Sequence, residues 1–339
     1  MFPARRFISG PPTPGPATHG AGASGHVYRL PFSRERPSAI GARGAPVDQF
    51  SFREDAADGI LNVLVRADGG GDAMFMPELS EGGIALLRLP LNAFGNGSRE
   101  APRARYRALP RPGGDSWSFH NRFVGGHVLY GLGGDGGRAA GASVFAAPLR
   151  GGPVAALALP HPVDRIEALG RDAMIVGSGL RGLGFTTVEL PAGSGPRLGD
   201  RYTLPDASEG ETRSHAFFFS PDPASPDGAS GVLGLPVARR AEPAMHRFFG
   251  NSAAMLFLRR DARRLAPAGE LAARSEGVAD DGCQASCADW YGNARPIFLG
   301  DRTFALLGYE LVEGRFGRSS IREVARTNFA PRRGRPPAR

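Results

Sequence analysis

The chain has 339 residues, enough for one large domain or two of ordinary size, and 41% of them are hydrophobic. Its formal charge is +8, and because it contains arginine but no lysine, a P-loop lysine and a Schiff-base lysine are both excluded. No apolar run is long enough to cross a bilayer as a helix, and the 49 glycines and 30 prolines favour short elements joined by tight turns.

Both ends of the chain have the composition of disordered segments. Residues 1–25 are rich in Pro, Gly and Ala and lack the apolar stretch of a secretion signal, and residues 331–339 contain four arginines and no acidic residue. Without the six arginines of the two ends, a charge of about +2 remains. The sequence therefore predicts a folded region at 26–330 and no nucleic-acid partner.

Five strand–turn–strand units follow one another along the chain. Each consists of a short strand, a turn that contains Gly or Asp, and a second strand that is a continuous apolar run. Such a run is expected for a strand that is covered on both faces. The units begin at Val47, Ser116, Val163, Glu211 and Ala294.

Two weaker strands follow each of the first four units. They are predicted at 84–91 and 104–110, at 142–149 and 154–160, at 183–190 and 199–205, and at 253–260 and 266–273. The cleanest repeat spacings are 47 and 48 residues, and repeats of about 40–50 residues with four strands are typical of propeller blades. Because stacked sheets cover one another's faces, the sequence predicts an all-β protein, a β-propeller of about five four-stranded antiparallel blades.

The two ends contain incomplete units in this scheme. Residues 26–33 and the region of Ile40 resemble third and fourth strands, whereas 294–314 supplies a first and second strand and 320–329 a third. We expect the two ends to complete one blade together. The alternative is a fragment of a larger propeller whose first blades are missing.

Several segments of the chain resemble a known family. They are VDQFSF with GILNVLV, FVGGHVLYG, VDRIEALGRDAMIVGSG, SHAFFFSP with GVLGLPV, and ARPIFLGDRTFALLG, in this order over roughly 47–312. They are similar to segments of the bacterial secreted or extracytoplasmic proteins with a C-terminal β-propeller domain. The resemblance implies an all-β propeller outside the cytoplasm with no assigned reaction, since none of these motifs is catalytic.

Glycine-rich and Asp-Gly motifs are best explained as turns. GLGGDG (131–136) and GSGLRG (177–182) match G-x-G-x-x-G, but dinucleotide binding requires a helix after the glycines and β-rich runs follow here. The Asp/Gly clusters at 53–60 and 66–73 match a calcium loop poorly. The sequence also contains neither H-E-x-x-H nor G-x-S-x-G. It therefore predicts no cofactor, no metal and no assigned catalytic residue.

The segment DDGCQASCADW contains both cysteines of the chain, Cys283 and Cys287. A disulfide is the favoured interpretation, with two free thiols or a metal site that uses acidic neighbours as alternatives. Close by, Trp290, Tyr291 and Phe298 form either an exposed contact patch or the core of the last blade.

Polar residues lie at the start of the first strand of each unit, and in a propeller these strands line the central channel. The candidate ligand-binding residues are Asp48, Gln49, His120, Asn121, Asp164, Arg165, Arg213, His215 and Arg295. Charges that converge on one channel mouth would bind an anionic or polar ligand. The alternative is a network that satisfies channel water and neighbouring backbone groups.

The sequence favours a non-enzymatic recognition module, a monomer that binds a protein or a polymer such as a polysaccharide through its loop face or channel mouth. The alternative is a hydrolase or lyase that uses channel-mouth carboxylates and His215, because general acid–base catalysis requires two groups placed around one bond. Convergence of Asp48, Asp164, His215 and Arg295 in an open pocket would favour the enzyme, and mutual neutralisation would favour the network.

Overall fold

Antiparallel β-hairpins account for most of the residues that the computed structural model describes. The structure describes residues 3–5, 25–32, 35–70, 79–114, 118–134, 140–238, 254–274, 294–308, 310–318 and 320–329. These residues contain 26 strands and four short 3-10 turns and no α-helix. No helix in these ranges has the length and apolar character needed to cross a membrane. The chain is therefore all-β, as predicted.

The strands are numbered in chain order. They are β1 Pro3–Arg5, β2 Gly25–Arg29, β3 Ser38–Ala42, β4 Ala45–Pro46, β5 Phe52–Asp55, β6 Ile60–Gly70, β7 Leu79–Pro90, β8 Asn96–Glu100, β9 Tyr106–Leu109, β10 Phe119–Val124, β11 His127–Leu132, β12 Ser143–Pro148 and β13 Ala155–Ala158. They continue as β14 Arg165–Leu169, β15 Asp172–Gly179, β16 Gly182–Glu189, β17 Arg197–Leu204, β18 Ser208–Glu209, β19 Phe218–Pro221, β20 Gly231–Ala238, β21 Ala254–Asp261, β22 Arg264–Ala272, β23 Arg295–Leu299, β24 Arg302–Leu307, β25 Glu310–Phe316 and β26 Ile321–Asn328.

The chain divides into two compact units. Unit 1 comprises Met1–Leu132 and Val144–Ala156, and unit 2 comprises Gly133–Ser143 and Leu157–Arg339. Six sheets are found in the described residues: β1-β2-β3-β8, β4-β6-β7-β9 with β5 beside β6, β10-β11-β12-β13, β14-β15-β16-β17, β18-β20-β21-β22 with β19 beside β20, and β23-β24-β25-β26.

In unit 1, the inner strands of the second sheet contribute to two hydrophobic cores. Val63 of β6 packs in one cluster with Ile40 of the first sheet, whereas the next residue, Leu64, packs in another with Phe119 and Tyr130 of the third sheet. Successive side chains of a strand point to opposite faces, so a continuous apolar run covers both neighbours.

In unit 2, strand β21 likewise contributes side chains to two hydrophobic cores, one on each face. Leu256 packs in one cluster with Val176 of β15, and Phe257 packs in another with Leu307 of β24. Sheets that stack face to face through such cores are the blades of a β-propeller, which confirms the predicted fold class. The apolar second strands of the sequence units are the inner strands β6, β11, β15, β20 and β24 of these blades.

The prediction that the two ends complete one blade together is wrong. The C-terminal strands β23 to β26 form a four-stranded sheet of their own. The N-terminal strands β1 to β3 form another sheet, in which β3 pairs in parallel with β8, a strand that the sequence analysis did not predict. The segment 294–314 holds three strands instead of two. Gly308, with φ of 57°, lies in the tight connection that separates β24 from β25.

Several predicted features lie outside the described residues. Among them are Cys283, Cys287, Trp290 and Tyr291, the tail 331–339, and parts of the turns at 66–73 and 131–136. Of the segment 1–25, the structure describes only β1 and Gly25. The turn interpretation of GSGLRG is confirmed, because Gly179 pairs with Gly182 across the β15–β16 hairpin.

Candidate functional site

In unit 1, Asp48 and Asn121 are brought together around Ser51, and we call these three residues the Asp48 cluster. Asp48 precedes the 3-10 turn Gln49–Ser51, and its Oδ1 accepts a hydrogen bond of 2.8 Å from the backbone N–H of Phe50. Asn121 Nδ2 donates to Asp48 Oδ1 and to Ser51 Oγ, at 3.1 Å each. The start of β5 is thereby tied to β10.

The Asp48 carboxyl is held by neutral donors. Burial raises its pKa, and the hydrogen bonds from Phe50, Asn121 and Ser51 and the positive charge of Arg122 oppose that rise. Gln49 is exposed beside it. His120 points to a different partner, since its Nε2 lies 3.3 Å from Ser118 Oγ.

In unit 2, Asp164 fixes the start of β14. Its Oδ1 accepts from the backbone N–H of Gly134 and its Oδ2 from that of Ser178, both at 2.7 Å. Both carboxylate oxygens therefore bind backbone amides, a structural use of the side chain.

The Arg165 guanidinium is the centre of a buried polar network, and we call Arg165, Glu167 and Glu209 the Arg165 cluster. Its Nε donates to Glu209 Oε1 at 2.5 Å and its Nη1 to Glu167 Oε1 at 3.0 Å. Its Nη2 donates to the carbonyl oxygens of Glu211 and Arg213, at 3.0 Å each. One side chain of β14 thus holds the segment that leads into β19.

The carboxyl of Glu209 is the most perturbed acid of this cluster. Burial, with a smaller contribution from the carboxylates of Asp164 and Glu211, raises its pKa to about 7 against the opposing charge and hydrogen bond of Arg165. Its Oε2 atom is buried and has no hydrogen-bond partner.

His215 lies in the 3-10 turn Ser214–Ala216, and its Nε2 is buried without a hydrogen-bond partner. Burial lowers its pKa, and the positive charges of Arg295, Arg213 and Arg165 act in the same direction, whereas Glu211 opposes them. Arg213 Nε lies 3.9 Å from Glu211 Oε1. In unit 2, Arg213, His215 and Arg295 therefore share one electrostatic environment with the Arg165 cluster.

His161 is a buried polar residue that the sequence analysis did not select. Its Nδ1 donates to the Pro162 carbonyl at 2.8 Å, and its Nε2 lies 2.9 Å from Thr186 Oγ1. A Cβ at Gly184 would lie 2.3 Å from the His161 ring, so a glycine is required there. The ring packs on strand β16, and burial lowers its pKa.

The sequence reasoning also missed Ser51, Glu167 and Glu209. A local signal existed for two of them: Ser51 follows Asp48 at the spacing of a capping box, and Glu209 belongs to the acidic stretch SEGE before β19. Their partners lie far away in sequence, because Arg165 and Glu209 are 44 residues apart.

The arrangement is chemically suited to holding strands together. In the described ranges, no group of three or more His, Cys, Asp or Glu side chains is placed to hold a metal ion. The carboxylates of Asp48 and Asp164 accept hydrogen bonds from neighbouring groups, and Arg165 is matched by two acids. Binding of a ligand by the candidate residues stays a prediction.

Comparisons with known proteins give no family. No protein-family description matches the chain, and no curated protein matches it. A functionally unknown protein from Desulfotomaculum acetoxidans DSM 771 has 9% identity and a TM-score of 0.36, covering 87% of this chain and 77% of its own. KlHsv2 with loop 6CD replaced by a Gly-Ser linker has 9% identity and a TM-score of 0.37, covering 89% and 84%.

A third solved structure, AztD from Citrobacter koseri, has 12% identity and a TM-score of 0.24, covering 86% of this chain and 91% of its own. Similarity at this level carries no argument about function. The fold assignment rests on the sheets and their cores.

Proposed function

We propose that the protein is a non-enzymatic recognition module, in which propeller blades hold a surface that binds a protein partner. The observation that supports this proposal is how the candidate polar side chains are used. Asp48, Asp164 and Arg165 each bind groups that fix the start of a first strand. Because these side chains are used in structural contacts, we expect a partner to bind to the exposed surface instead.

An exposed apolar surface in unit 2 supports a protein as the partner. Phe218 of β19 is 50% exposed and Leu299 of β23 is 64% exposed. The Phe218 ring lies 5.7 Å from that of Phe298, which in turn packs edge-on against the buried Phe257 at 6.2 Å. We call Phe218, Phe298 and Leu299 the aromatic edge. Aromatic side chains anchored on a rigid core are typical of interface hot spots.

The alternative, a hydrolase or lyase, has weaker support. A general acid or base has to contact its substrate, but the side chain of Glu209 is only 5% exposed and Nε2 of His215 is buried. Raised and lowered pKa values also occur in purely structural ion networks. We further propose a location outside the cytoplasm, as the family resemblance implies. We also propose that the protein acts as a monomer.

Affinity capture tests the proposed function. The full chain, the double variant Phe218→Ser/Leu299→Ser and the control Leu180→Ser are immobilised and exposed to envelope and culture-medium extracts of the host bacterium. Leu180 is a matched control because it is 66% exposed, in the β15–β16 turn. We expect one protein to be retained by the native chain and by the control, and retention to fall about tenfold or more in the double variant.

Three results would overturn the proposal. The first is equal retention by all three proteins, and the second is that no protein is retained from any extract. The third is turnover of a substrate that Glu209→Gln or His215→Ala abolishes while the fold is kept, which would favour the enzyme.

A further inference from the structure

A short segment of unit 1 contains far more positive than negative charge. Residues 96–111, which include β8, the 3-10 turn Arg103–Arg105 and β9, contain five arginines and one acid, Glu100. The whole chain has 41 arginines against 33 acids, so the excess in this segment is local. We call Arg99, Arg103 and Arg105 the arginine strip.

The three side chains of the arginine strip are exposed to solvent. Arg99 lies on β8, and Arg103 and Arg105 lie on the turn that follows. The Arg99 guanidinium donates to the Ala93 carbonyl at 3.4 Å, and this neutral acceptor leaves the charge of the guanidinium uncompensated. The strip therefore presents positive charge at the surface of unit 1.

The neighbouring strands contribute no acid to the arginine strip. Strand β3, which pairs with β8, contains no charged residue. The same is true of Ile84–Leu87, the part of β7 that pairs with β9. Glu100, the acid of the segment itself, lies 3.7 Å from Arg43, a cation outside the strip. The excess of positive charge in the sequence is thus kept in the fold.

The backbone that holds Arg103 and Arg105 is fixed at both ends of the turn. Ala101, which precedes the turn, and Tyr106, which follows it, pack in the same hydrophobic cluster. The Tyr106 hydroxyl accepts from the N–H of Arg43 at 2.8 Å, and the N–H of Arg105 donates to the Pro102 carbonyl at 2.9 Å. A backbone that is already ordered lowers the entropy cost of binding a ligand.

We propose that the arginine strip binds an acidic polysaccharide through the carboxylates of its uronic-acid units. A planar guanidinium can donate two parallel hydrogen bonds to one carboxylate. A single exposed ion pair is weak, but a polymer that offers carboxylates at regular spacing engages several arginines at once, and linked contacts reinforce one another. The proposal does not depend on the proposed protein partner, because no residue of the aromatic edge is used.

The composition of the strip favours a polysaccharide over other anionic partners. Between Arg99 and Arg105, the exposed residues other than arginine are Glu100, Pro102 and Ala104. None of them is an aromatic side chain on which a nucleic-acid base could stack. None is a large apolar side chain that could enter a membrane or anchor a protein interface.

Binding of the full chain to fluorescently labelled polygalacturonate tests the proposal. We expect binding at low salt that is lost at about 1 M salt, where the screening length falls to about 3 Å. Monomeric galacturonate offers one carboxylate and should bind at least about tenfold more weakly than the polymer. The double variant Arg103→Gln/Arg105→Gln removes two charges of the strip and should weaken polymer binding about tenfold.

The matched control is Arg181→Gln/Arg201→Gln, which removes the same charge from unit 2. Both arginines are exposed, Arg181 in the β15–β16 turn and Arg201 on β17. If binding depended only on the net charge of the protein, the two double variants would be equally weakened. We expect the control to bind the polymer as the native chain does.

A gain of affinity supplies a readout that damage to the fold cannot produce. Ala104→Arg adds a cation between Arg103 and Arg105 and should tighten polymer binding about threefold. Ala224→Arg adds the same charge at an exposed position between β19 and β20 and should change nothing.

Duplex DNA and phosphatidylglycerol vesicles are titrated in parallel, and weaker binding of both than of polygalacturonate is expected. Tighter binding of either one would overturn the proposal in favour of a nucleic acid or a membrane. The proposal also fails if polygalacturonate does not bind, if monomeric galacturonate binds as tightly as the polymer, or if the strip variants and their controls behave alike.

Discussion

The Asp48 cluster of unit 1 and the Arg165 cluster of unit 2 hold equivalent places in their blades but are stabilised in opposite ways. In both, a side chain at the start of a first strand ties that strand to a neighbouring segment. The Asp48 carboxyl is served by a backbone amide, a hydroxyl and a side-chain amide. The Arg165 cluster instead sets one guanidinium against two carboxylates.

The difference shows what each solution makes the fold depend on. The Asp48 carboxyl accepts hydrogen bonds from several neutral donors, so the loss of one donor leaves the other hydrogen bonds in place. A buried guanidinium makes the fold depend more on one residue, because removing it leaves the buried carboxyl of Glu209 without the cation that it binds. We therefore expect the loss of the Arg165 side chain to destabilise the protein more than the loss of the Asp48 side chain.

The largest expected effect is that of Arg165→Met. The substitution keeps much of the side-chain volume but removes a cation that binds both Glu167 and Glu209 and the donor to two carbonyls. Breaking a buried ion pair from one side typically costs about 3–5 kcal/mol. We expect a loss of this size in the free energy of unfolding measured with urea at pH 7.

Arg197→Gln is the control for Arg165→Met. Arg197 pairs with Glu189 at 2.5 Å, but its own side chain is 60% exposed. A solvent-exposed pair contributes about 0–1 kcal/mol. Equal losses for the two variants would contradict the distinction between a buried hub and an exposed pair.

A smaller effect is expected from Asp48→Ala in the other cluster. The alanine removes the acceptor for the Phe50 amide and for Asn121 Nδ2. Loss of a cap with one further buried bond costs about 1–3 kcal/mol. Asp48→Asn, which keeps an oxygen acceptor, should lose about 1 kcal/mol or less in the same urea experiment. If Asp48→Ala is as harmful as Arg165→Met, the comparison between the clusters fails.

The two clusters also show how far the sequence leads. Apolar second strands and turn residues predict the inner strands of five of the six sheets in the described residues, because a strand covered on both faces must be apolar along its length. The same pattern gave a wrong strand count at the C-terminus. There β24 and β25 form one nearly continuous apolar run, with only a short connection at Gly308 between them, and were predicted as a single strand. Strand β8 was missed because its residues are mostly exposed and polar.

The sequence does not show which side chains the candidate residues contact. It selects Asp48, Asn121, Asp164 and Arg165 as candidate ligand-binding residues because they are polar and lie at the starts of first strands, and that role stays a prediction. Which carboxylate meets Arg165 depends on packing between sheets, and Glu209 is 44 residues away in sequence. Local patterns cannot rank such distant pairs, so the pairing of Arg165 with Glu209 is visible only in the fold.

The smallest expected effect concerns His161. This buried residue of unit 2 lies outside the Arg165 cluster, and its pH dependence can be compared with that of Glu209. Burial lowers the pKa of His161, so its contribution is present above the unfolded value of 6.5 and is lost as pH falls. This sign is opposite to that of Glu209. The native chain should lose on the order of 1 kcal/mol relative to His161→Gln between pH 7.5 and 5.5.

Thr186→Val provides the matching control for His161. It removes the hydroxyl 2.9 Å from Nε2 without removing the titrating ring. The pH dependence of the native chain should therefore persist in Thr186→Val and disappear in His161→Gln, although both variants lose stability at pH 7.5. A constant difference between the native chain and His161→Gln from pH 7.5 to 5.5 would show that the ring is already protonated or solvated in the fold. The contrast with Glu209 would then rest on the acid alone.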